Sequence, residues 1–160
     1  MTRCFQPVIR IFSPAQNFVV INGVRWATRN VGFSGTFVSQ PEDFGGYFTW
    51  NQAQNACPPG WRMPTQAELQ SLVNTGSSWI TRNGVNGRLF GSVPNQIFLP
   101  AAGDICSVGI NTSLGAWGCY WSSMPSGTDS ARALTFSSDS SAVNNDFIRG
   151  FQFSVRCVLE

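Results

Sequence analysis

The sequence predicts an α+β domain in which two helices pack on a small, mainly antiparallel twisted sheet, with long loops between the later strands. Three observations lead there. Asn22-Gly23 lies between two short apolar runs within residues 18–26, the strongest short-range signal for a β-hairpin. Thr49-Trp50-Asn51-Gln52 and Thr65-Gln66-Ala67-Glu68 both match the capping box that starts a helix. Phe151, Phe153, Val155, Cys157 and Leu159 alternate with Gln152, Ser154 and Arg156, the period of a strand with one apolar face.

Taken in order, residues 1–17 form an N-terminal tail or strand, and residues 18–160 form the domain. Gly, Ser, Pro and acidic residues break any periodicity from Ala27 to Gly46, so that stretch reads as a loop over the core. The first helix places Trp50, Ala53 and Cys57 on one face and stops at Pro58-Pro59-Gly60. The second follows Pro64, places Leu69, Leu72 and Val73 on one face, and has Gly76 to terminate it. Ile97-Phe98-Leu99, Trp117 to Trp121, Ala133 to Phe136 and Phe151 to Leu159 are the later strand candidates. Trp26, Trp50, Trp61, Leu69, Leu72, Phe98, Trp121, Phe136, Phe153 and Val155 are expected to fill the core.

Composition narrows the function. The 160 residues are 42% hydrophobic, 13% aromatic and only 11% charged, which fits a globular domain and not a disordered chain. All ten basic residues are Arg, scattered from Arg3 to Arg156, and the net charge is +2; neither nucleic acid nor an anionic membrane is an expected partner. No stretch approaches a membrane span, and Met1-Thr2-Arg3-Cys4-Phe5 lacks the apolar core of a signal peptide, so export would need a leader outside this chain or another route. Without His or Lys the chain cannot build a Ser-His-Asp or Cys-His site, a His zinc site, a Schiff-base lysine or a P-loop. Eight carboxylates remain, and nothing in their spacing supports a glycoside-hydrolase pair. The expectation is a binding module, with no cofactor, and not an enzyme.

Three segments carry a resemblance. They are Asn22-Gly-Val-Arg-Trp26-Ala-Thr-Arg-Asn30-Val-Gly32; Tyr47-Phe-Thr-Trp50-Asn-Gln-Ala53-Gln-Asn-Ala-Cys57-Pro-Pro-Gly60-Trp61-Arg-Met-Pro64-Thr65-Gln-Ala-Glu68-Leu69; and Tyr120-Trp121-Ser122-Ser123 with Gly150-Phe151-Gln-Phe-Ser154-Val155-Arg156-Cys157-Val158. In order and spacing they resemble the Fibrobacter succinogenes major domain family, C-type-lectin-like domains of bacterial surface proteins. The resemblance implies the C-type-lectin-like fold, an extracellular, cell-surface or virion location, and a disulfide between helix cysteine Cys57 and last-strand cysteine Cys157. Closing so long a loop contributes roughly 4–5 kcal/mol by chain-entropy reasoning. The alternative is a pair of buried thiols packed as small hydrophobes.

Cys106 and Cys119 either close a second, short-loop disulfide or stay free, and Cys4 is left over. The same fold houses formylglycine-generating oxidases, but their cysteine motif is missing around Cys106 and Cys119. Calcium-dependent sugar binding would need an oxygen-ligand cluster in the long loop and the strand after it. Gln40-Pro41-Glu42 resembles one such motif but precedes the first helix, and Asp139, Asn144, Asn145 and Asp146 lack calcium-loop spacing, so no metal site is expected.

The segment from Ser122 to Asp146 holds 15 small polar residues (Ser, Thr, Asp or Asn) in 25, a composition that hydrogen-bonds adaptably at low entropic cost. It also resembles the variable proteins of diversity-generating retroelements, which carry their changeable residues on the C-terminal part of this fold. A binding surface at about residues 117–149 is therefore expected. Its large contacts would be Trp117, Tyr120, Met124, Phe147 and Arg149. Its polar ones would be Ser126, Asp129, Ser138, Asp139, Asn144, Asn145 and Asp146. The implied role is a display module for a protein or glycan receptor, as a surface adhesin or phage-fibre tip assembled in several copies. The rivals are a structural surface domain without a ligand and, behind it, the oxidase.

Overall fold

The computed structural model describes residues 17–106, 108–143 and 145–160, so Cys4, Asn144 and nearly all of the expected N-terminal tail lie outside the described residues. The chain begins as expected: Asn22 and Gly23 take φ values of 51° and 77°, the paired left-handed conformation of a two-residue hairpin, and join β1 (Phe18–Ile21) to β2 (Val24–Ala27). β2 then pairs antiparallel with β11 (Val158–Leu159) through Trp26 and Val158, and β11 pairs with β3 (Trp61–Arg62). The first and last strands thus share one sheet, of order β1-β2-β11-β3.

Both helices start on capping boxes. Thr49 and Gln52 cap α1 (Trp50–Ala53), and Thr65 and Glu68 cap α2 (Gln66–Asn74). α1 is shorter than its apolar face suggested: Asn55 and Ala56 donate to carbonyls three residues back, so the segment leading to Cys57 is a run of turns. α2 buries Leu69 and Leu72, and Gly76, at φ 87°, ends it as expected. Arg62 clamps Glu68 with two hydrogen bonds of 2.7 and 3.0 Å, which ties β3 to the helix N-terminus.

The sheet differs from expectation. In place of one small sheet the described residues form three. The second comprises β4 (Ser77–Arg82), β5 (Val85–Ser92) and β6 (Asn95–Pro100), of which only β6 was anticipated. The third has the order β10-β8-β7, with β7 (Gly118–Ser126), β8 (Ser130–Phe136) and β10 (Asp146–Ile148), and β9 (Ser141–Ala142) also pairs with β8. Among the described residues every pairing between these strands is antiparallel, and the parallel contacts are single bridges of Gly118 with Gly103 and of Tyr120 with Ser154, so the mixed architecture with two helices and mainly antiparallel sheets stands.

The expected long last strand is also absent. Between Phe151 and Cys157 the chain makes only single bridges, Gln152 with Ile105, Phe153 with Phe48 and Ser154 with Tyr120, before entering β11. It runs through the interior between the sheets, so both faces are covered and Ser154 and Arg156, read as outward-facing, have no exposed surface. Arg156 meets this burial with three hydrogen bonds, to Asn30 Oδ1 (2.8 Å), Ala27 O (3.1 Å) and Phe98 O (2.9 Å). Burial pulls its pKa down to about 10, which still leaves the group charged at neutral pH.

Of the expected core residues all are buried except Trp50 and Trp61, which pack against the core from its edge. The Trp50 indole N–H donates to Ser122 O (2.9 Å) while Arg149 covers its ring, and Trp61 meets the Phe37 ring edge-on. Cys57 and Cys157 form the disulfide, with Cα atoms 6.0 Å apart and a separation of 100 residues.

Two measurements check this packing. Replacing Cys57 with Ser should lower stability by up to about 4–5 kcal/mol, since the bond closes so long a loop; an unchanged denaturant midpoint would show that the unfolded chain gains nothing from the link. The Ser154 hydroxyl is the one buried side-chain polar atom among the described residues without a hydrogen-bond partner. Ser154→Ala should therefore raise the urea midpoint, by about 1 kcal/mol of stability, and a loss of that size would reveal a partner for the hydroxyl.

Candidate functional site

Strand alternation sets the two sides of β7. Tyr120 faces the core formed with Phe90, Phe136 and α2, whereas Cys119 and Trp121 face the other way, toward Phe153 and Met63. On β8 the same side carries Ala131, Ala133 and Thr135, and Thr135 lies directly across from Cys119. Short side chains here leave room above the sheet. Trp117, Phe147, Phe151 and Phe153 wall that space, and Asp104, Ser113, Cys119, Thr135 and Asn145 complete an open cleft of about 410 Å³.

The aromatic walls are fixed by ring packing. Phe153 stacks on Trp121 (4.3 Å between centroids), and Phe147 meets Phe153 edge-on (5.2 Å). The polar side is fixed by loop hydrogen bonds. The Asp104 backbone N–H donates to Ser113 Oγ (3.1 Å), and the Ser113 hydroxyl donates back to Asp104 Oδ1. Asn111 braces the same loop by donating to Ala102 O (2.8 Å) and to the Tyr47 hydroxyl (3.2 Å). Burial raises the Tyr47 pKa. Burial first, and the Asp104 charge second, push the Cys119 thiol up to about 12.

The structure distributes the expected site residues unevenly. It brings Trp117, Asn145 and Phe147 together in the cleft. Met124, Ser126 and Asp129 sit at the β7–β8 turn, while Ser138 and Asp139 sit at the opposite end of β8, roughly 20 Å away at strand rise. Asp146 is exposed and pairs with Arg132 at 2.9 Å. Tyr120 is not at the surface at all: it is fully buried, donates to Pro100 O (2.7 Å) and accepts from Asn30 (3.1 Å). Arg149 is committed to the scaffold, stacked on Trp50 at 4.4 Å and donating to Ser130 O and Gly127 O at 2.9 and 2.8 Å.

Cys106 and Cys119 are both free, so the short-loop bridge does not form. Ile105 is held by a double hydrogen bond to Gln152, and Cys119 by its place in β7, which gives each segment its own anchor. Among the described residues no three of His, Cys, Asp or Glu gather as a metal site. The cleft residues Asp104, Ser113, Phe151 and Phe153 were not anticipated as site residues. The long polar loop before Trp117 and the aromatic run after Gly150 were the only local signals of them.

Comparison with family models, with curated proteins and with solved structures finds no match to this chain.

The raised thiol pKa has a direct readout. At pH 8 the Cys119 thiolate is scarce, so iodoacetamide should leave it unmodified in native protein and modify it only as pH nears 12. Peptide mapping that found Cys119 rapidly alkylated at pH 8 would contradict both its burial and its closeness to Asp104.

Proposed function

We propose that the chain is a binding module of the C-type-lectin-like class, similar to the Fibrobacter succinogenes major domain family, and that it presents residues 117–149 to a protein or glycan receptor on a cell surface. One observation carries this reading: Trp117, Asn145 and Phe147, which belong to that segment, line one open cleft, with Phe147 packed edge-on against Phe153. The disulfide between Cys57, just after α1, and Cys157, just before β11, and the pairing of β2 with β11 support the fold assignment. A disulfide is also compatible with an extracellular setting. No helix among the described residues is long and apolar enough to cross a membrane.

Asn145 brings an exposed polar group to the cleft, and Asp129, Ser138 and Asp139 are exposed elsewhere on the same segment, chemistry of the kind that adapts to a partner while aromatic groups anchor it. Diversification by a retroelement is the proposed origin of the small polar residues between Ser122 and Asp146. A surface with few large anchors binds modestly per site, so use in several copies, on a cell or in a phage fibre, fits its chemistry. The thiol of Cys119, held protonated, is poorly suited to the oxidase alternative.

The test is binding of fluorescent protein to a panel of intact bacterial cells, measured beside thermal stability. Trp117→Ala and Asn145→Ala should abolish cell binding while shifting Tm little, because both side chains are solvent-accessible and neither holds the core. Unchanged binding with both variants folded would place recognition elsewhere, and a structural domain would bind no cell type.

A further inference from the structure

Building on the reading of the cleft as a binding site, we propose that it takes an organic ammonium group, an alkylated amine such as a choline headgroup or a trimethylated lysine side chain. The cleft holds the two things such a group needs. Aromatic faces attract a cation through their negative quadrupole, and three partly exposed rings, Trp117, Phe147 and Phe151, line this space above the buried Phe153. A carboxylate adds charge, and Asp104 supplies it as the only charged residue among the described residues of the lining.

Among the described residues no cation compensates that charge. Asp104 makes no ion pair among the described residues; Oδ1 accepts from Ser113, and no described residue donates to Oδ2. The arginines of β5, of β8 and of the segment after β10 are engaged elsewhere. Arg149 is bound to Trp50, Ser130 and Gly127, and Arg88 donates to Ser137 and Ser138. Arg132 pairs with Asp146 outside the lining. The charge is nonetheless felt inside the cleft, since it helps hold the Cys119 thiol protonated.

These features select among ligands. A phosphate, sulfate or acidic sugar would meet repulsion and no basic partner. A neutral sugar gains from the rings and can donate hydroxyls to the carboxylate, but it brings no positive charge to neutralise it as water is expelled. A small primary ammonium would satisfy Asp104 but keeps its hydration against ring faces. An alkylated ammonium is weakly hydrated and bulky, so it fills an aromatic space and pairs with the carboxylate together. The volume of about 410 Å³ lies within the range of small-molecule sites and accommodates such a headgroup with its attached chain.

The experiment titrates the isotope-labelled full chain with choline chloride, following the Trp117 indole and Asn145 side-chain amide NMR signals, with sodium chloride as the ionic control. Its uncharged carbon isostere, 3,3-dimethylbutan-1-ol, is titrated in parallel, as is a peptide containing trimethyllysine. Choline or the peptide should shift both signals saturably, at least about tenfold more tightly than the isostere, and whichever is tighter names the source of the cation. Asp104→Asn should remove that advantage and leave the isostere unaffected. Equal binding of choline and isostere, or saturation by neutral glucose or galactose alone, would overturn the assignment, as would no saturation by choline or peptide below roughly 50 mM. Because the wild-type comparison needs no variant, misfolding of Asp104→Asn cannot decide the matter. Failure here alongside loss of cell binding in Trp117→Ala would reject the ammonium ligand and leave the binding-module reading standing.

Discussion

A guanidinium with no exposed surface must find its acceptors inside the protein, and Arg156 finds them on three separate parts of the chain. It reaches Asn30 in the long loop after β2, Ala27 at the end of β2, and Phe98 in β6. Asn30 passes the network on, donating to Phe44 O at 3.0 Å and to the Tyr120 hydroxyl at 3.1 Å, and Tyr120 donates to Pro100. Among the described residues no carboxylate takes part, and backbone carbonyls and side-chain dipoles supply the compensation. Such a network is valuable only when complete: each group removed strands another in a low-dielectric interior. It therefore penalises any arrangement of the three sheets but one, a constraint that loose apolar packing alone would not impose.

The network also explains where the cleft lies. The interior segment that carries Arg156 on one side carries Phe153 and Val155 on the other, because extended backbone alternates its side chains. β7 repeats the pattern, turning Tyr120 toward the network and Cys119 and Trp121 toward Phe153. Holding the last segment and β7 in register, through Trp121 N–H to Ser154 O and Ser154 N–H to Cys119 O, fixes the floor of the cleft as a consequence of fixing the core. The mobile-looking chemistry of the rim, rich in Ser, Asp and Asn, can then change without altering that floor.

How much of this was legible in the sequence depends on how local each signal is. The β1–β2 turn, both capping boxes and Gly76 are encoded within a few residues and were readable as such. The β4–β5 hairpin turns on Asn83 and Gly84, with φ values of 49° and 79°, the same chemistry as Asn22-Gly23. It was missed because Ser77, Ser78, Asn86 and Gly87 dilute the apolar alternation that would flank a hairpin. The alternation from Phe151 to Leu159 correctly put Phe153, Val155 and Cys157 inward but could not reveal that other strands cover Ser154 and Arg156. Tyr120 was misplaced for a related reason: an aromatic residue beside a polar segment looks like an anchor until the carbonyl and amide that hold it are seen. In the site, Trp117, Asn145 and Phe147 were legible from one segment, whereas Asp104, Ser113, Phe151 and Phe153 join them only through tertiary contacts.

The account rests on one mechanical claim, that a rigid interior built around Arg156 supports a surface free to adapt. Native-state hydrogen exchange, resolved by residue, tests it directly. The amides of Val31, Trp121, Phe153 and Ser154, which donate across the interior segment, should exchange only through global unfolding, while those of Asp139, Asn145 and Asp146 exchange through local opening. Exchange of the Trp121, Phe153 and Ser154 amides as fast as that of the 137–149 segment would contradict the account.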